Sequence, residues 1–108
     1  MSNPAVTQSA VPQELLQYRE CIDNIDEEIL SALARRFEIT VRVGELKAQH
    51  GLESVDPVRE QEKLQRLRQS AEQKGLDSNL VHELFQRVFN EVVKNHRQLL
   101  AAAQKARK

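Results

Sequence analysis

Apolar residues recur every three or four positions from Glu14 to about His50, which is the spacing of one face of an α-helix. No proline interrupts this segment, and Gly44 is its one glycine. No part of the chain alternates apolar and polar residues as a half-buried strand would. The pattern therefore predicts an all-α fold whose first helix is very long.

A second predicted helix is bounded by clear start and stop residues. Asp56 precedes Pro57, which is the order of an N-cap residue and the first helical position. The helical pattern continues to about Lys74, and Gly75 follows where a helix commonly ends in a left-handed residue. We expect a helix between these two signals, joined to the first helix by the short connector 51–55.

The third predicted helix runs from about Asn79 to about Ala103, with Asp77 or Ser78 as its cap. A chain of 108 residues has room for one small domain. On either side of the helical region the residues are small, polar or basic, which is typical of tails that do not pack. We expect a disordered tail at 1–12, one helical domain at 13–104 and a frayed basic tail at 105–108.

The first helix is too long for the rest of the chain to cover. About 35 residues span about 50 Å at the α-helical rise, and helices in globular proteins are usually much shorter. Two further helices of a small domain cannot bury both halves of such a helix. We therefore predict that a second copy of the chain covers the rest, in an intertwined helical homodimer.

Two cations lie on the apolar side of this helix. With Ile29 as the reference on a helical wheel, Lys47 lies at about 0° and Arg36 about 20° away. Each side chain could extend its charge to water or pair with a carboxylate, but burying an unpaired cation is costly. Two cations at the centre of one apolar stripe indicate a pocket that holds an anion.

The third helix carries a histidine on its apolar face. His96 follows Phe85 by 11 residues, so the two side chains share one side of the helix. A histidine in such a place is more often a hydrogen-bonded core residue than a site residue, but the two cations make it a candidate for the site as well. The apolar residues of this face are Leu84, Phe85, Val88, Phe89, Val92, Leu99 and Leu100.

Polar residues at the start of the second helix share one face. Asp56, Arg59 and Glu60 have the i, i+3, i+4 spacing. They could cap the helix and face water, or Arg59 and the helix N-terminus could bind a carboxylate while Glu60 accepts from a hydroxyl. Arg19 lies about 42 Å from Lys47 along the first helix. It is therefore either a surface arginine or part of the same site in an antiparallel partner.

Charge and composition restrict the function further. Sixteen basic and sixteen acidic residues give a net charge of zero, so there is no general attraction to nucleic acid or to an anionic membrane. Cys21 is the one cysteine, which excludes an intrachain disulfide and a zinc site made of cysteines. Because no apolar run suits a signal peptide or a membrane span, we expect a soluble cytoplasmic protein.

Taken together, these residues resemble the all-helical chorismate mutases (AroQ class). The similarity rests on R-x-x-I-D-x-I-D-x-x-I-L-x-x-L-x-x-R ending at Arg36, on VGELK ending at Lys47 and on D-P-x-R-E at 56–60. It extends from about Leu15 to about Leu100. The resemblance implies a three-helix chain that forms an intertwined dimer with two active sites, the architecture that the long helix also predicts.

The reaction that the resemblance implies is the Claisen rearrangement of chorismate to prephenate. It is pericyclic and needs no nucleophile, metal or cofactor, so we expect none. Arg36, and Arg19 of the partner subunit, would bind the carboxylates of the substrate with the help of Arg59. The protein would hold the dicarboxylate in its reactive conformer and place fixed donors where negative charge develops.

The resemblance assigns the ether oxygen and the ring hydroxyl to other residues. Lys47 would donate to the ether oxygen, and Glu60, with Asp56 nearby, would hold the hydroxyl. His96 occupies a position where many members have Gln or Glu facing the ether oxygen, and its charge can change with pH. Val92 occupies a position where a small polar residue, often Ser, contacts a carboxylate, so that contact would be absent.

Other functions remain open at this point. An isochorismate pyruvate lyase or a 4-amino-4-deoxychorismate mutase would use the same fold and the same cations. A non-catalytic helical dimer, serving as a scaffold or an anion-binding regulatory module, would explain the long helix but not Lys47 or His96. Zero net charge and few aromatic residues disfavour a nucleic-acid binder. Because few residues follow the third helix, we expect an enzyme with one function.

Overall fold

The computed structural model describes residues 11–106, which form three α-helices joined by short connectors. Helix α1 spans Gln13–Gln49, α2 spans Pro57–Gln73 and α3 spans Ser78–Ala106. No strand occurs in this part of the chain, so the predicted all-α fold with one very long first helix is confirmed. No helix within the same residues combines the length and the apolar character needed to cross a membrane.

The two predicted tails fall largely outside the described residues. Of the tail predicted at 1–12, only the last two residues are described, and the carbonyl of Pro12 accepts from the backbone N–H groups of Leu15 and Leu16 at the start of α1. At the other end, α3 continues past the predicted Ala103 to Ala106. Residues 107 and 108 of the predicted basic tail lie outside the described range.

Helix α1 passes through two compact units, one that ends at Arg36 and one that begins at Phe37. In the first unit the predicted apolar stripe is exposed. Ile22, Ile25 and Ile29 keep 55%, 52% and 53% of their surface accessible. This part of α1 therefore presents apolar side chains that the described residues of its own chain leave uncovered.

The core of the second unit lies between α2 and α3. The rings of Phe85 and Phe89 have their centroids 6.2 Å apart and are tilted by 58°. Leu84, on the predicted apolar face of α3, is 50% exposed in the single chain. The buried side of α3 is centred between Val88 and Phe89, and Leu84 lies about 90° from that centre. The buried apolar residues are Leu64, Ala71, Val88 and Phe89.

The end of α2 has the form that its sequence predicts. Gly75 has a φ of +73°, which glycine adopts without the steric penalty of a side chain. The N–H of Leu76 donates to the carbonyl of Ala71 at 2.8 Å, and the N–H of Gly75 donates to the carbonyl of Glu72 at 3.1 Å. These two bonds form a Schellman motif, which ends α2 and turns the chain back toward α3.

The cap of α3 is Asp77 rather than Ser78. Its side-chain Oδ1 accepts from the N–H of Asn79 at 2.8 Å and from that of Leu80 at 3.4 Å. Arg68 of α2 crosses the turn, donating to the side-chain oxygen of Asn79 at 2.8 Å and to the carbonyl of Ser78 at 3.4 Å. The turn between α2 and α3 is thus fixed by side chains from both of its sides.

Replacing Asp77 by alanine removes the acceptor for two N–H groups in the first turn of α3. We expect the free energy of unfolding to fall by about 1 kcal/mol, measured by urea denaturation at one fixed protein concentration. Asp77→Asn is the matched control, because an asparagine oxygen caps a helix about as well. Equal losses in the two variants would contradict capping through the side-chain oxygen.

Candidate active site

The last turn of α1 holds the backbone of Lys47 in a fixed conformation. Its carbonyl accepts from the N–H of Leu52 at 2.8 Å, and the carbonyl of Ala48 accepts from the N–H of Gly51 at 3.4 Å. Together these bonds form a second Schellman motif, with Gly51 at a φ of +66°. The side chain of Lys47 is half-buried. The position of its ammonium group is therefore restricted both by the fixed backbone and by the surrounding residues.

His96 is the buried polar residue of the region 11–106, with 4% of its surface exposed. Its Nε2 lies 2.8 Å from the backbone carbonyl oxygen of Thr40 on α1. Because a carbonyl oxygen only accepts, Nε2 must carry a hydrogen and donate it. The other ring nitrogen, Nδ1, is also buried and has no hydrogen-bond partner among the described residues. In the neutral ring Nδ1 is therefore an acceptor.

Gly44 makes room for the histidine ring. A Cβ atom at this position would lie 2.9 Å from Nε2 of His96 and 3.1 Å from Cδ1 of Leu99. In an α-helix the carbonyl of Thr40 points along the axis toward the N–H of residue 44, so a donor that reaches this carbonyl passes beside that residue. Glycine inside a helix is less favourable than alanine by up to about 1 kcal/mol, and this packing explains its presence.

The observed environment of His96 is that of a hydrogen-bonded core histidine, one of the two interpretations that the sequence left open. The resemblance implies instead that this residue faces the ether oxygen of a substrate. Nε2 is engaged inside the chain, so a direct contact with substrate would have to come from Nδ1. Such a contact is what the resemblance implies for this position.

The first turn of α2 carries three candidate residues. Asp56 is the N-cap, as predicted, because its Oδ1 accepts from the N–H of Arg59 at 3.2 Å. The side chain of Arg59 is exposed, whereas Glu60 is half-buried. Oε1 of Glu60 accepts from Nε2 of Gln86 on α3 at 3.2 Å, and the same nitrogen also donates to Oδ1 of Asn90 at 3.2 Å. A neutral amide therefore orients this carboxylate.

An open cavity of about 630 Å³ begins at Glu60 and continues along α3. Lys94 and Arg97 line it together with the apolar side chains of Val55 and Val93. Lys94 and Arg97 are not among the candidate residues predicted from the sequence. Their three-residue spacing does place both side chains on one face of a helix, so it could have indicated them. They give this side of an otherwise neutral chain a local positive charge.

Three further candidate residues lie outside these contacts, Arg19 and Arg36 on α1 and Val92 on α3. In the unit that ends at Arg36, Arg19 is exposed and Arg36 is half-buried. Burial lowers the pKa of the Arg36 guanidinium below its ordinary value. The group nevertheless stays charged near neutral pH. Val92 on α3 is half-buried and adds apolar surface rather than a polar contact.

The arrangement is suited to binding and orienting an anion. The structure brings Asp56, Arg59 and Glu60 onto one helical turn, and it sets His96 against α1 just before Lys47. Cations and hydrogen-bond donors can hold carboxylates, and Glu60 can accept from a hydroxyl. Within residues 11–106 there is no group of three or more His, Cys, Asp or Glu side chains that could hold a metal ion.

Comparison with known proteins gives a consistent family. A family model described as chorismate mutase type II matches residues 18–97. The T-protein of Enterobacter agglomerans is 37% identical over 78 residues, which are 72% of this chain and 21% of that protein. The bifunctional chorismate mutase/prephenate dehydratase of Escherichia coli (strain K12) is 35% identical over 86 residues, which are 80% of this chain and 22% of that protein.

A shorter relative is matched over most of its length. The chorismate mutase of Methanocaldococcus jannaschii is 34% identical over 74 residues, which are 68% of this chain and 75% of that protein. The chain therefore spans about a fifth of the length of the T-protein and of the bifunctional enzyme, and about three quarters of the archaeal protein.

Replacing Gly44 by alanine adds a methyl group where the ring of His96 lies. Alanine is the better helix former, yet we expect the free energy of unfolding to fall by about 1–3 kcal/mol, as at other overpacked sites. Glu45→Ala, at an exposed position of the same turn, is the matched control and should change little. Denaturation at one protein concentration compares them. A Gly44→Ala variant as stable as the wild type would contradict the close contact.

Proposed function

The chain belongs to the type II chorismate mutase family, and on that premise we propose that it rearranges chorismate to prephenate. The observation that carries the proposal is that the matched segment, 18–97, contains every candidate site residue. The proposal concerns this one activity, because the chain spans only about a fifth of the T-protein and the bifunctional relative. The candidate residues are Arg19, Arg36, Lys47, Asp56, Arg59, Glu60, Val92 and His96.

The carboxylates of the substrate are bound by arginines. Arg36 and Arg19 of the partner subunit hold them, with the exposed Arg59 assisting. The planar guanidinium group matches the two oxygens of a carboxylate. The partial burial of Arg36 supports this role, because a guanidinium group that is partly removed from water attracts a carboxylate more strongly than a fully solvated one.

Lys47 donates to the ether oxygen, where negative charge grows as the C–O bond breaks. Its half-buried side chain and its fixed backbone at the end of α1 support this role. A donor that already points at the developing charge stabilises the transition state without a reorganisation cost. The C-terminal end of a helix also favours a cation in its last turn.

Glu60 accepts a hydrogen bond from the ring hydroxyl. Its bond from the amide of Gln86 orients the carboxylate without neutralising it, which supports an acceptor role. Asp56 contributes mainly by capping α2 and so fixing the turn on which Glu60 lies. Val92 supplies apolar surface that excludes water, and the carboxylate contact that relatives make from this position is left to the arginines.

The rearrangement needs binding, orientation and electrostatic stabilisation from the protein. One C–O bond breaks while one C–C bond forms within a single molecule, so no group passes to the protein and we propose no cofactor. Holding the dicarboxylate in its folded conformer removes part of the entropic barrier. A cation at the ether oxygen lowers the energy of the polar transition state, most effectively where apolar walls exclude water.

We propose that the active species is a homodimer with two sites shared between its chains. Ile22, Ile25 and Ile29 are each more than half exposed in the single chain, and a contiguous apolar stripe of this kind is typical of an interface. An antiparallel arrangement of two α1 helices would bring Arg19 of one subunit to the Lys47 of the other. The cytoplasmic location expected from the sequence stays a prediction.

Two related enzymes remain as alternatives because Val92 and His96 depart from the usual family residues. An isochorismate pyruvate lyase or a 4-amino-4-deoxychorismate mutase would use the same arginines and the same lysine. Product analysis separates the three reactions. A non-catalytic helical dimer that only binds an anion is the alternative of another class, and the absence of turnover with all three substrates would favour it.

The first experiment follows chorismate with the purified full chain and identifies the product by chromatography. We expect prephenate, and we expect Lys47→Ala to lower kcat/KM by about two to three orders of magnitude, as the loss of one such donor does elsewhere. Lys74→Ala is the matched control, since this lysine lies exposed just after α2. Full activity of the Lys47 variant would contradict the assigned role.

A second experiment tests the shared sites. Arg19→Ala and Lys47→Ala should each be nearly inactive alone. If one site takes Arg19 from one subunit and Lys47 from the other, a mixed dimer has one intact site and one doubly altered site. Refolding the two variants together in equal amounts should then restore roughly a quarter of the wild-type sites, given random pairing in a two-fold dimer. No recovery, with mixed dimers demonstrated by mass spectrometry, would contradict sites shared in this way.

A further inference from the structure

We propose that His96 is a positioning residue, which fixes the turn of α1 that carries Lys47 and makes no contact with the substrate. The inference rests on the proposed function for the role of Lys47. It differs from the role that the family resemblance implies for this position, which is a donor to the ether oxygen. Three features of the second unit support it.

The first feature is the acceptor that His96 uses. Nε2 donates at 2.8 Å to the main-chain carbonyl of Thr40, which is part of the hydrogen-bond ladder of α1. A main-chain acceptor in a helix cannot change its position by side-chain rotation. The bond therefore ties α3 directly to the backbone of α1, and a shift of either helix breaks it.

The second feature is the steric fit around Gly44. The ring lies so close to this glycine that an added Cβ would come within 2.9 Å of Nε2. A rotation of α1 by one position would bring Val43 or Glu45 to the place of Gly44 and force the ring away. The hydrogen bond and the glycine therefore select one rotational setting of α1 against α3.

The third feature is the short path from this contact to Lys47. Lys47 follows Gly44 by three residues, which is about 4.5 Å of helical rise. It follows Thr40 by about two turns and lies on nearly the same side of the helix. The carbonyl of Lys47 itself is held by the N–H of Leu52 at 2.8 Å. The turn that carries the lysine is thus restrained both before and after it.

The bond to Thr40 explains why we do not assign His96 as the donor. The hydrogen on Nε2 goes to Thr40, and in the tautomer with this hydrogen Nδ1 is an acceptor. Among the candidate residues this leaves Lys47 as the donor to the ether oxygen. Because no second donor compensates for an error in its placement, the position of this lysine is critical, and displacements of about 1 Å can cost about a hundredfold in rate.

Nuclear magnetic resonance of the ring nitrogens tests whether His96 contacts the substrate. The ¹⁵N-labelled full chain is observed with and without saturating prephenate, and His96→Gln identifies the signals of this ring among the three histidines. We expect Nε2 protonated and Nδ1 unprotonated in both states, with small shifts. A proton on Nδ1, or a large shift of the Nε2–H signal on adding prephenate, would overturn the proposal.

Steady-state kinetics tests whether the ring acts through the position of Lys47. Gln places an amide nitrogen near the site of Nε2 and should rescue kcat to within about threefold. Asn is too short to reach Thr40, and we expect His96→Asn to lower kcat at least about tenfold with little change in KM. Gly44→Ala keeps the histidine in the sequence but shifts its ring, and it should likewise lower kcat with little change in KM. Gln104→Asn is the control, because it shortens an exposed side chain of α3 by one methylene group. It should leave kcat unchanged.

The outcomes distinguish this proposal from the proposed function. Wild-type protein that leaves chorismate intact overturns the proposed function and with it the catalytic half of this inference. An active wild type with unchanged kcat in His96→Asn or Gly44→Ala overturns only the positioning role. The ring spectra use only the wild-type chain and His96→Gln, in which the glutamine amide replaces the bond to Thr40. They therefore test the proposal even if His96→Asn does not fold.

Discussion

The length of α1 imposes the constraint on which the rest of the structure depends. A helix of 37 residues has more apolar surface than the two shorter helices cover, and Gly44 is its one buried residue within the described chain. The buried apolar side chains all belong to α2 and α3. The apolar side of α1 therefore calls for a second surface to cover it, and in the homodimer that we propose the partner's α1 provides it.

Charge in this protein is local rather than general. The chain has no net charge, yet α1 carries the half-buried cations Arg36 and Lys47, and exposed cations lie on α2 and α3. Arg36 shows the physical cost, because burial lowers the pKa of its guanidinium.

The fold could be predicted from local signals, and the site only in part. Asp56, Gly75 and Asp77 mark helix ends through chemistry that acts within a few residues, and the structure follows them. For Leu84 the helical wheel predicts the apolar face of α3 but not how much of that face the neighbouring helix covers, and half of this side chain stays exposed in the single chain. The cations Arg36 and Lys47 were recognisable because a charge on an apolar stripe contradicts its surroundings.

The contacts made by His96 and Glu60 left no comparable signal. His96 bonds to a main-chain carbonyl, and every residue has one, so the sequence does not mark Thr40 as its acceptor. Glu60 meets Gln86 across 26 positions of sequence, where no periodicity connects them. Gly44 was the available clue, since a lone glycine in a strong helix calls for a packing reason, but the sequence does not say which side chain needs the space.

The bond between His96 and Thr40 also bears on the order in which the chain folds. The turn between α2 and α3 closes over short separations, such as the 11 positions from Arg68 to Asn79, whereas His96 and Thr40 are 56 positions apart. Closing a longer loop costs more entropy, so the hairpin of α2 and α3 is expected to form first. The last turns of α1 then pack against the ring of His96. During synthesis α1 leaves the ribosome before residue 96 does. The space beside Gly44 therefore stays unfilled until the ring of His96 can pack there.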